Sequence, residues 1–368
     1  MTIEQIRIYR FPLPAQTTYN MSSSTVSLPQ STIVELIDTS GMTGYGEACL
    51  ATSEAQSASN DSVLAVMSFL ASAIIGLDPI NFSNVNAVMN ASKHALPEAK
   101  AALDVACWDL AGKKTNKSVV ELLGGPQRDA TTTYHVIGIT SSEDAAEDAL
   151  RLQESGITRI QLKAGGRPIE EDIACIHAVA RVIREETILD VDTNRGWTIA
   201  EAVEVSEACS SISMSLEQPC ATEEELRHIK PLISHPLIID ESATDATTIS
   251  KLIDDEIADG FGMKITRVGG LTPMKTIRDL CVEKNIPMSS DDAWGGDIIA
   301  AAGVALAATM PSDLNRGAWL AHPYHQTHYD LANGPRIQNG QVPLPKGGPG
   351  LGLHIADDFF GEPEAVYE

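Results

Sequence analysis

The feature that most constrains this chain is a rhythm of short apolar runs. From about residue 132 onward, runs that read as strands (133–139, 159–163, 188–192, 214–217, 237–240, 262–265 and 286–290) alternate with stretches that read as helices. Six of these runs end in, or just before, an ionisable residue: Lys163, Asp192, Glu217, Asp240, Lys264 and Asp291, at intervals of 29, 25, 23, 24 and 27 residues. Such an interval is one strand–helix unit, so the runs form a parallel sheet buried on both faces by its helices. Seven runs, with an eighth near 313–319, predict an α/β fold closed into a (β/α)-barrel, a modified TIM barrel. An open doubly wound sheet needs a Gly-rich turn after its first strand, and none is present.

The chain before this repeat has another texture. Strand-like runs at 3–9 and 32–37 mix with helical ones, the clearest at 97–113, where Leu103, Ala106, Cys107 and Leu110 form a buried stripe. Residues 1–125 therefore read as an α+β capping domain, and Gly124-Gly125-Pro126 marks its end. Residues 126–321 form the barrel, and the Gly- and Pro-rich segment 322–368 returns to complete the cap. The glycines at 347–352 are followed by no Lys-Ser/Thr pair, which excludes a phosphate loop.

Composition narrows the partners. Acidic residues number 50 against 26 basic ones, and the resulting formal charge of −24 repels both a nucleic-acid backbone and an anionic membrane surface. The six cysteines form no C-x-x-C pair, as expected of a protein in a reducing cytoplasm. The first 14 residues lack the pattern of a signal peptide, and the apolar stretch 298–310 is too short to span a bilayer.

In a parallel barrel, all strand C-termini open on one face, so the six ionisable residues converge on one cup. Asp192, Glu217 and Asp240 stand on consecutive strands, and three crowded carboxylates require a positive charge among them. Oxygen ligands of this number suit Mg²⁺, whereas zinc would favour His or Cys. Lys163 and Lys264 flank the carboxylates, one strand before and one after. A substrate carboxylate held by the cation would have a more acidic α-proton, which a lysine of lowered pKa could remove. His322, His325 and His328 recur every third residue, but the intervening Pro323 argues against a helical metal site.

Five motifs carry a resemblance that spans nearly the whole chain. They are Gln161-Leu162-Lys163, Asp192 to Trp197 (DTNRGW), Glu217-Gln218-Pro219, Asp240-Glu241-Ser242, and Lys264 followed by Gly269-Gly270. In order and at βα spacing, they resemble the enolase superfamily, in its muconate lactonizing enzyme and dipeptide epimerase branch (the mandelate racemase/muconate lactonizing enzyme family). The resemblance implies Asp192, Glu217 and Asp240 as Mg²⁺ ligands, Lys163 and Lys264 as the acid/base pair, and Glu241 beside the ligands. Gln161 replaces the first lysine of the family's K-x-K.

Longer strings (KAGGRP from Lys163, GFGMKITRVGG from Gly260, DDAWGGDI from Asp291) are similar to the hydroxyproline betaine 2-epimerases and the neighbouring cis-3-hydroxy-L-proline dehydratases. This implies a small carboxylate substrate bearing an ammonium group. Trp319, Asp292, Asp291, Gln161, Asn194 and Tyr19 are its candidate contacts, with loop 50–60 over the pocket and residues 22–25 contributing to a lid. Asp291 could instead orient Lys264. The expected activity is 1,1-proton transfer on proline betaine or 4-hydroxyproline betaine; the alternatives are dehydration of cis-3-hydroxy-L-proline and, more remotely, a noncatalytic betaine sensor. The resemblance also implies a homo-oligomer.

Overall fold

The computed structural model describes residues 2–16, 19–20, 25–26, 30–50, 60–92, 96–291 and 294–368. Its N-terminal part is an antiparallel sheet of β1 (Ile3–Pro12), β2 (Gln30–Asp38) and β3 (Thr43–Leu50), with Ala365–Tyr367 paired to the free edge of β1. Tyr19–Asn20 and Thr25–Val26 form a small separate hairpin. The helices α1 (Asn60–Ile74) and α3 (Pro97–Thr115) pack against the sheet, and α2 (Phe82–Asn90) packs against those two helices.

The helix α3 begins with Pro97 in its first turn, where a missing N–H costs nothing, and ends on Asn116 in the left-handed region. Its burial goes beyond the single stripe expected of it, because one face meets the cap sheet and another meets the barrel. On the sheet side it lies so close that a Cβ at Gly46 would fall 1.8 Å from the Ala102 carbonyl oxygen. On the barrel side, the Trp108 indole N–H donates to Thr272 Oγ1 at 2.9 Å.

Six parallel strands follow: β4 (His135–Ile137), β5 (Arg159–Lys163), β6 (Ile188–Asp192), β7 (Ser215–Glu217), β8 (Leu237–Ile239) and β9 (Gly260–Phe261). Parallel bridges from Phe261 to Met288, Met288 to Asn315, and Ala318 to Thr133 close the ring. The eighth apolar run thus completes a barrel. Side chains on β5 alternate between the interior and the helices, which places Arg159, Gln161 and Lys163 inside. The lowest of these three joins a buried ionic layer: Arg159 and Arg316 both bind Asp190, and Arg159 lies 4.0 Å from the Tyr134 ring centroid. Burial raises the Asp190 pKa, but the two guanidinium groups outweigh it and hold the carboxyl below its usual range.

Two buried carboxylates of the cap fasten it to the barrel. Glu47 on β3 accepts from the backbone N–H groups of Gly296 (2.7 Å) and Ile299 (3.1 Å), at the start of α5 (Asp297–Ala307), and from the Tyr329 hydroxyl (2.7 Å). Asp104 on α3 accepts from the Thr272 backbone N–H (2.8 Å) and hydroxyl (2.6 Å), at the start of α4 (Leu271–Glu283). Each carboxylate satisfies donors that a helix N-terminus leaves open. The Gly269-Gly270 pair makes the second contact possible: Gly270 has φ +125°, and a Cβ there would lie 2.4 Å from Asp104 Oδ2.

All six cysteines are buried, and none forms a disulfide among the described residues. Among the described residues, no helix is long and apolar enough to cross a membrane.

Gly270→Ala should therefore destabilise the protein by about 2–4 kcal/mol, combining backbone strain with loss of the Asp104 cap. Thermal and urea denaturation check this, and an unchanged midpoint would show that the contact does not anchor the cap.

Candidate active site

The register of the parallel strands sets the site. Lys163 pairs with Asp192, and Asp192 with Glu217, so the ends of β5, β6 and β7 lie level, and Asp240 immediately follows β8. One carboxylate oxygen from each of Asp192, Glu217 and Asp240 lies within 4.8 Å of the others, and all three residues are buried. Among the described residues, this is the group of His, Cys, Asp and Glu side chains close enough to hold a metal ion.

The lysines stand at the two ends of this row. Lys163 Nζ donates to Asp192 Oδ2, while Lys264 Nζ donates to both oxygens of Asp240 at 2.7 and 2.6 Å. Gln161 Nε2 donates to Glu217 Oε2 at 2.9 Å. Asn194 binds Asp192 twice, through its backbone N–H (2.8 Å) and its Nδ2 (3.1 Å), and the same amide donates to Glu241 Oε1 at 3.1 Å. Gln161 and Asn194, expected at the substrate, thus make their hydrogen bonds to the carboxylates.

Electrostatics explain why the cluster wants a cation. Burial, then the charges of Asp192 and Asp240, push the Glu217 carboxyl well above its usual pKa. Glu241 is raised to about 7 by burial and the same two neighbours. Asp240 goes the other way: burial opposes ionisation, but Lys264 and Arg267 outweigh it. A hard divalent cation fits this donor set of oxygens without nitrogen or sulfur. Two buried acceptors beside it, Asn194 Oδ1 and Glu241 Oε2, have no hydrogen-bond partner among the described residues.

On the far side of the cup, Asp291 is bridged by its backbone to Lys264. It accepts from Ser289 Oγ (2.7 Å), the Tyr134 hydroxyl (3.0 Å) and the Trp319 backbone N–H (2.8 Å). Burial raises its pKa against the pull of Lys264 and Arg159. Trp319 in turn packs against Trp294 and Tyr324, with ring centroids 5.0 and 5.9 Å away, and the Tyr324 hydroxyl lies 3.0 Å from His135 Nε2.

Sequence reasoning had missed Arg267, Tyr134, Ser289, Trp294 and Tyr324. Arg267 stands inside the run from Lys264 to Gly270, and its spacing of one helical turn from Lys264 is the available signal. Asp292 and residues 51–59 and 21–24 lie outside the described residues. Tyr19 sits in the small hairpin, opposite Val26. His322 opens a short 3-10 turn, its ring centroid lies 6.0 Å from that of His328, and His328 lies 3.7 Å from Asp297, but among the described residues these histidines do not form a group close enough to hold a metal ion.

Comparison with known proteins agrees with this architecture. Residues 5–124 match the mandelate racemase/muconate lactonizing enzyme N-terminal domain, and residues 144–359 match the enolase C-terminal domain-like family. The chain belongs to the enolase superfamily, within the mandelate racemase/muconate lactonizing enzyme family. It is 37% identical over 370 residues, covering 100% of both chains, to a cis-3-hydroxy-L-proline dehydratase of Roseibium aggregatum. It is 27% identical to an N-succinyl-L-Arg/Lys racemase of Bacillus cereus, over 98% of each chain. A magnesium-complexed enolase superfamily member from Roseovarius nubinhibens superposes with TM-score 0.93 at 27% identity, covering 100% of this chain and 99% of that one.

Added Mg²⁺ at about a hundred times its dissociation constant should stabilise the protein by about 2.7 kcal/mol, and a chelator should reverse the effect. Differential scanning calorimetry would show this as a raised thermal midpoint. Glu217→Gln should lose most of the increment; retention of the full increment would move the cation away from the three carboxylates.

Proposed function

We propose that this chain is a Mg²⁺-dependent lyase that removes the α-proton of a small cyclic amino acid and expels the hydroxyl on the neighbouring carbon, with cis-3-hydroxy-L-proline as substrate. The observation that carries this reading is the full-length 37% identity to the dehydratase of that name. The dehydration alternative drawn from sequence therefore comes ahead of the epimerisation first expected.

Asp192, Glu217 and Asp240 would hold the Mg²⁺, which when bound places positive charge at the substrate carboxylate and makes the α-carbon more acidic. Gln161 and Asn194 orient two of those ligands, as their hydrogen bonds support. The lysines do the proton work. In the cis isomer, the carboxylate and the 3-hydroxyl share one face of the ring, so the α-proton and the hydroxyl leave from opposite faces. A lysine at each end of the carboxylate row suits that demand: one takes the α-proton as a neutral amine, and the other gives a proton to the departing hydroxyl. Water leaves, and the resulting enamine tautomerises to a cyclic imine. Asp291, Asp292, Trp319 and Tyr19 remain candidates for the ring and ammonium, with Trp294 and Tyr324 packed against Trp319.

A second reading, 2-epimerisation of proline betaine or 4-hydroxyproline betaine, rests on the same flanking lysines: one deprotonates, and the other reprotonates the opposite face. The aromatic group suits a quaternary ammonium. A noncatalytic sensor would need no proton-transfer group on either face. Six buried cysteines, none in a disulfide among the described residues, are compatible with a reducing compartment.

Proton NMR in deuterated water with Mg²⁺, on proline, 3- and 4-hydroxyproline and their betaines in each configuration, separates the readings. Dehydration should give loss of the α-proton signal and new imine signals from the cis-3-hydroxy isomer. Exchange with inversion on a betaine, and no elimination from any 3-hydroxyproline, would replace the lyase by the epimerase. Lys163→Ala and Lys264→Ala should each lower turnover by at least about 100-fold; wild-type turnover in either would remove that lysine from the reaction. Trp319→Ala should raise KM more than it lowers kcat, and an unchanged KM would place the substrate elsewhere.

A further inference from the structure

Asp240 has two cationic partners, and they hold it differently. Lys264 Nζ spans both carboxylate oxygens at 2.7 and 2.6 Å from a flexible side chain that is 30% exposed. Arg267 binds Oδ1 alone through Nη1, and its other nitrogens are tied to main chain: Nη2 to the Gly262 carbonyl at 2.6 Å and Nε to the Ala243 carbonyl at 3.1 Å. The guanidinium is thus fixed at three points around the ends of β8 and β9. It also stems from the single turn Ile265–Val268, for which Lys264 is the N-cap residue. Arg267 therefore anchors at once the carboxylate and the turn that carries the lysine.

A cation bound to Asp240 needs one of the oxygens that Lys264 occupies, and proton transfer needs Lys264 directed at the substrate. With Lys264 withdrawn and one oxygen given to the cation, the other buried oxygen still needs a fixed donor, because an unpaired buried acceptor is costly. We propose that Arg267 is a positioning residue, the standing partner of Asp240 Oδ1 that presents Oδ2 to the metal and releases Lys264 for proton transfer. This rests on the proposed function in assigning Asp240 to the metal and Lys264 to the substrate. A lysine at 267 would supply the charge without the fork that joins Asp240 to the two carbonyls.

The test compares Arg267→Met and Arg267→Lys with the wild type. Calorimetric titration with Mg²⁺ alone reads the hold on Asp240. Removing a nearby cation would by itself tighten Mg²⁺ binding, so weaker binding reports lost orientation. The expectation is about 10- to 100-fold weaker binding in Arg267→Met, partly recovered in Arg267→Lys. Unchanged or tighter binding overturns the proposal.

Deuterium exchange of L- and D-proline at saturating Mg²⁺ reads the release of Lys264. Lys264→Ala identifies the enantiomer served by that lysine. In both Arg267 variants, exchange of that enantiomer should fall at least about tenfold more than exchange of the other; equal losses would reduce Arg267 to a structural role and overturn the proposal. A wild-type chain inert toward every compound of the earlier panel would sink the proposed chemistry instead, while the Mg²⁺ titration still decides the hold of Arg267 on Asp240.

Discussion

Three carboxylates with an oxygen of each brought within 4.8 Å of the others inside a protein repel, and the surroundings of this site answer that repulsion. Lys163 and Lys264 close the two ends of the row, Arg267 braces Asp240, and one layer lower Arg159 and Arg316 enclose Asp190. The barrel supplies the rigid frame that such an arrangement demands. Parallel strands whose ends are level hold like charges together that a loop-built site would let drift apart. A chain that is strongly acidic overall thus sets basic side chains beside the buried carboxylates of its barrel, where they shape the field felt by a bound carboxylate.

The residues legible in the sequence are those for which topology alone decides proximity. The intervals between Lys163, Asp192, Glu217, Asp240 and Lys264 match one βα unit, and parallel pairing then brings their ends to one face. The interactions that needed coordinates are those made sideways. Gln161 reads as a substrate contact until its amide is seen on Glu217, and Asn194 until it is seen between Asp192 and Glu241. Arg267 looks like an ordinary residue of a short helix, because nothing in the order of residues says that its side chain returns to Asp240. Tyr134 and Ser289 lie 157 and two residues from Asp291, so neither pairing follows from spacing. The triplet of histidines shows the converse: a regular interval carries meaning only when the helix runs on long enough to repeat it, and here a single 3-10 turn ends at Tyr324 with His325 already extended.

The dehydratase and the epimerase diverge after a shared first step. Both require the α-proton to leave beside a carboxylate whose charge is stabilised, and both require a second proton-transfer group across the ring. The divergence lies with the substrate: a leaving group next to the carbanion favours elimination, and its absence leaves reprotonation. That is why the site can be read in detail down to its lysines while the choice between them depends on what the aromatic corner and its neighbours admit.

The joints between cap and barrel have a consequence for behaviour in different media. Burial pushes the Glu47 and Asp104 carboxyls above their usual range, and the donors facing them are backbone amides, hydroxyls and the Asn86 side-chain amide, all uncharged and buried or partly buried. Mobile ions screen exposed charges within about a Debye length, of order 10 Å at 0.1 M, and affect buried hydrogen bonds far less. The acidic exterior therefore loses self-repulsion as ionic strength rises, while the seams that seat the cap over the barrel keep their strength. Concentrated electrolyte thus relaxes the outside of this molecule without loosening the alignment of its two halves.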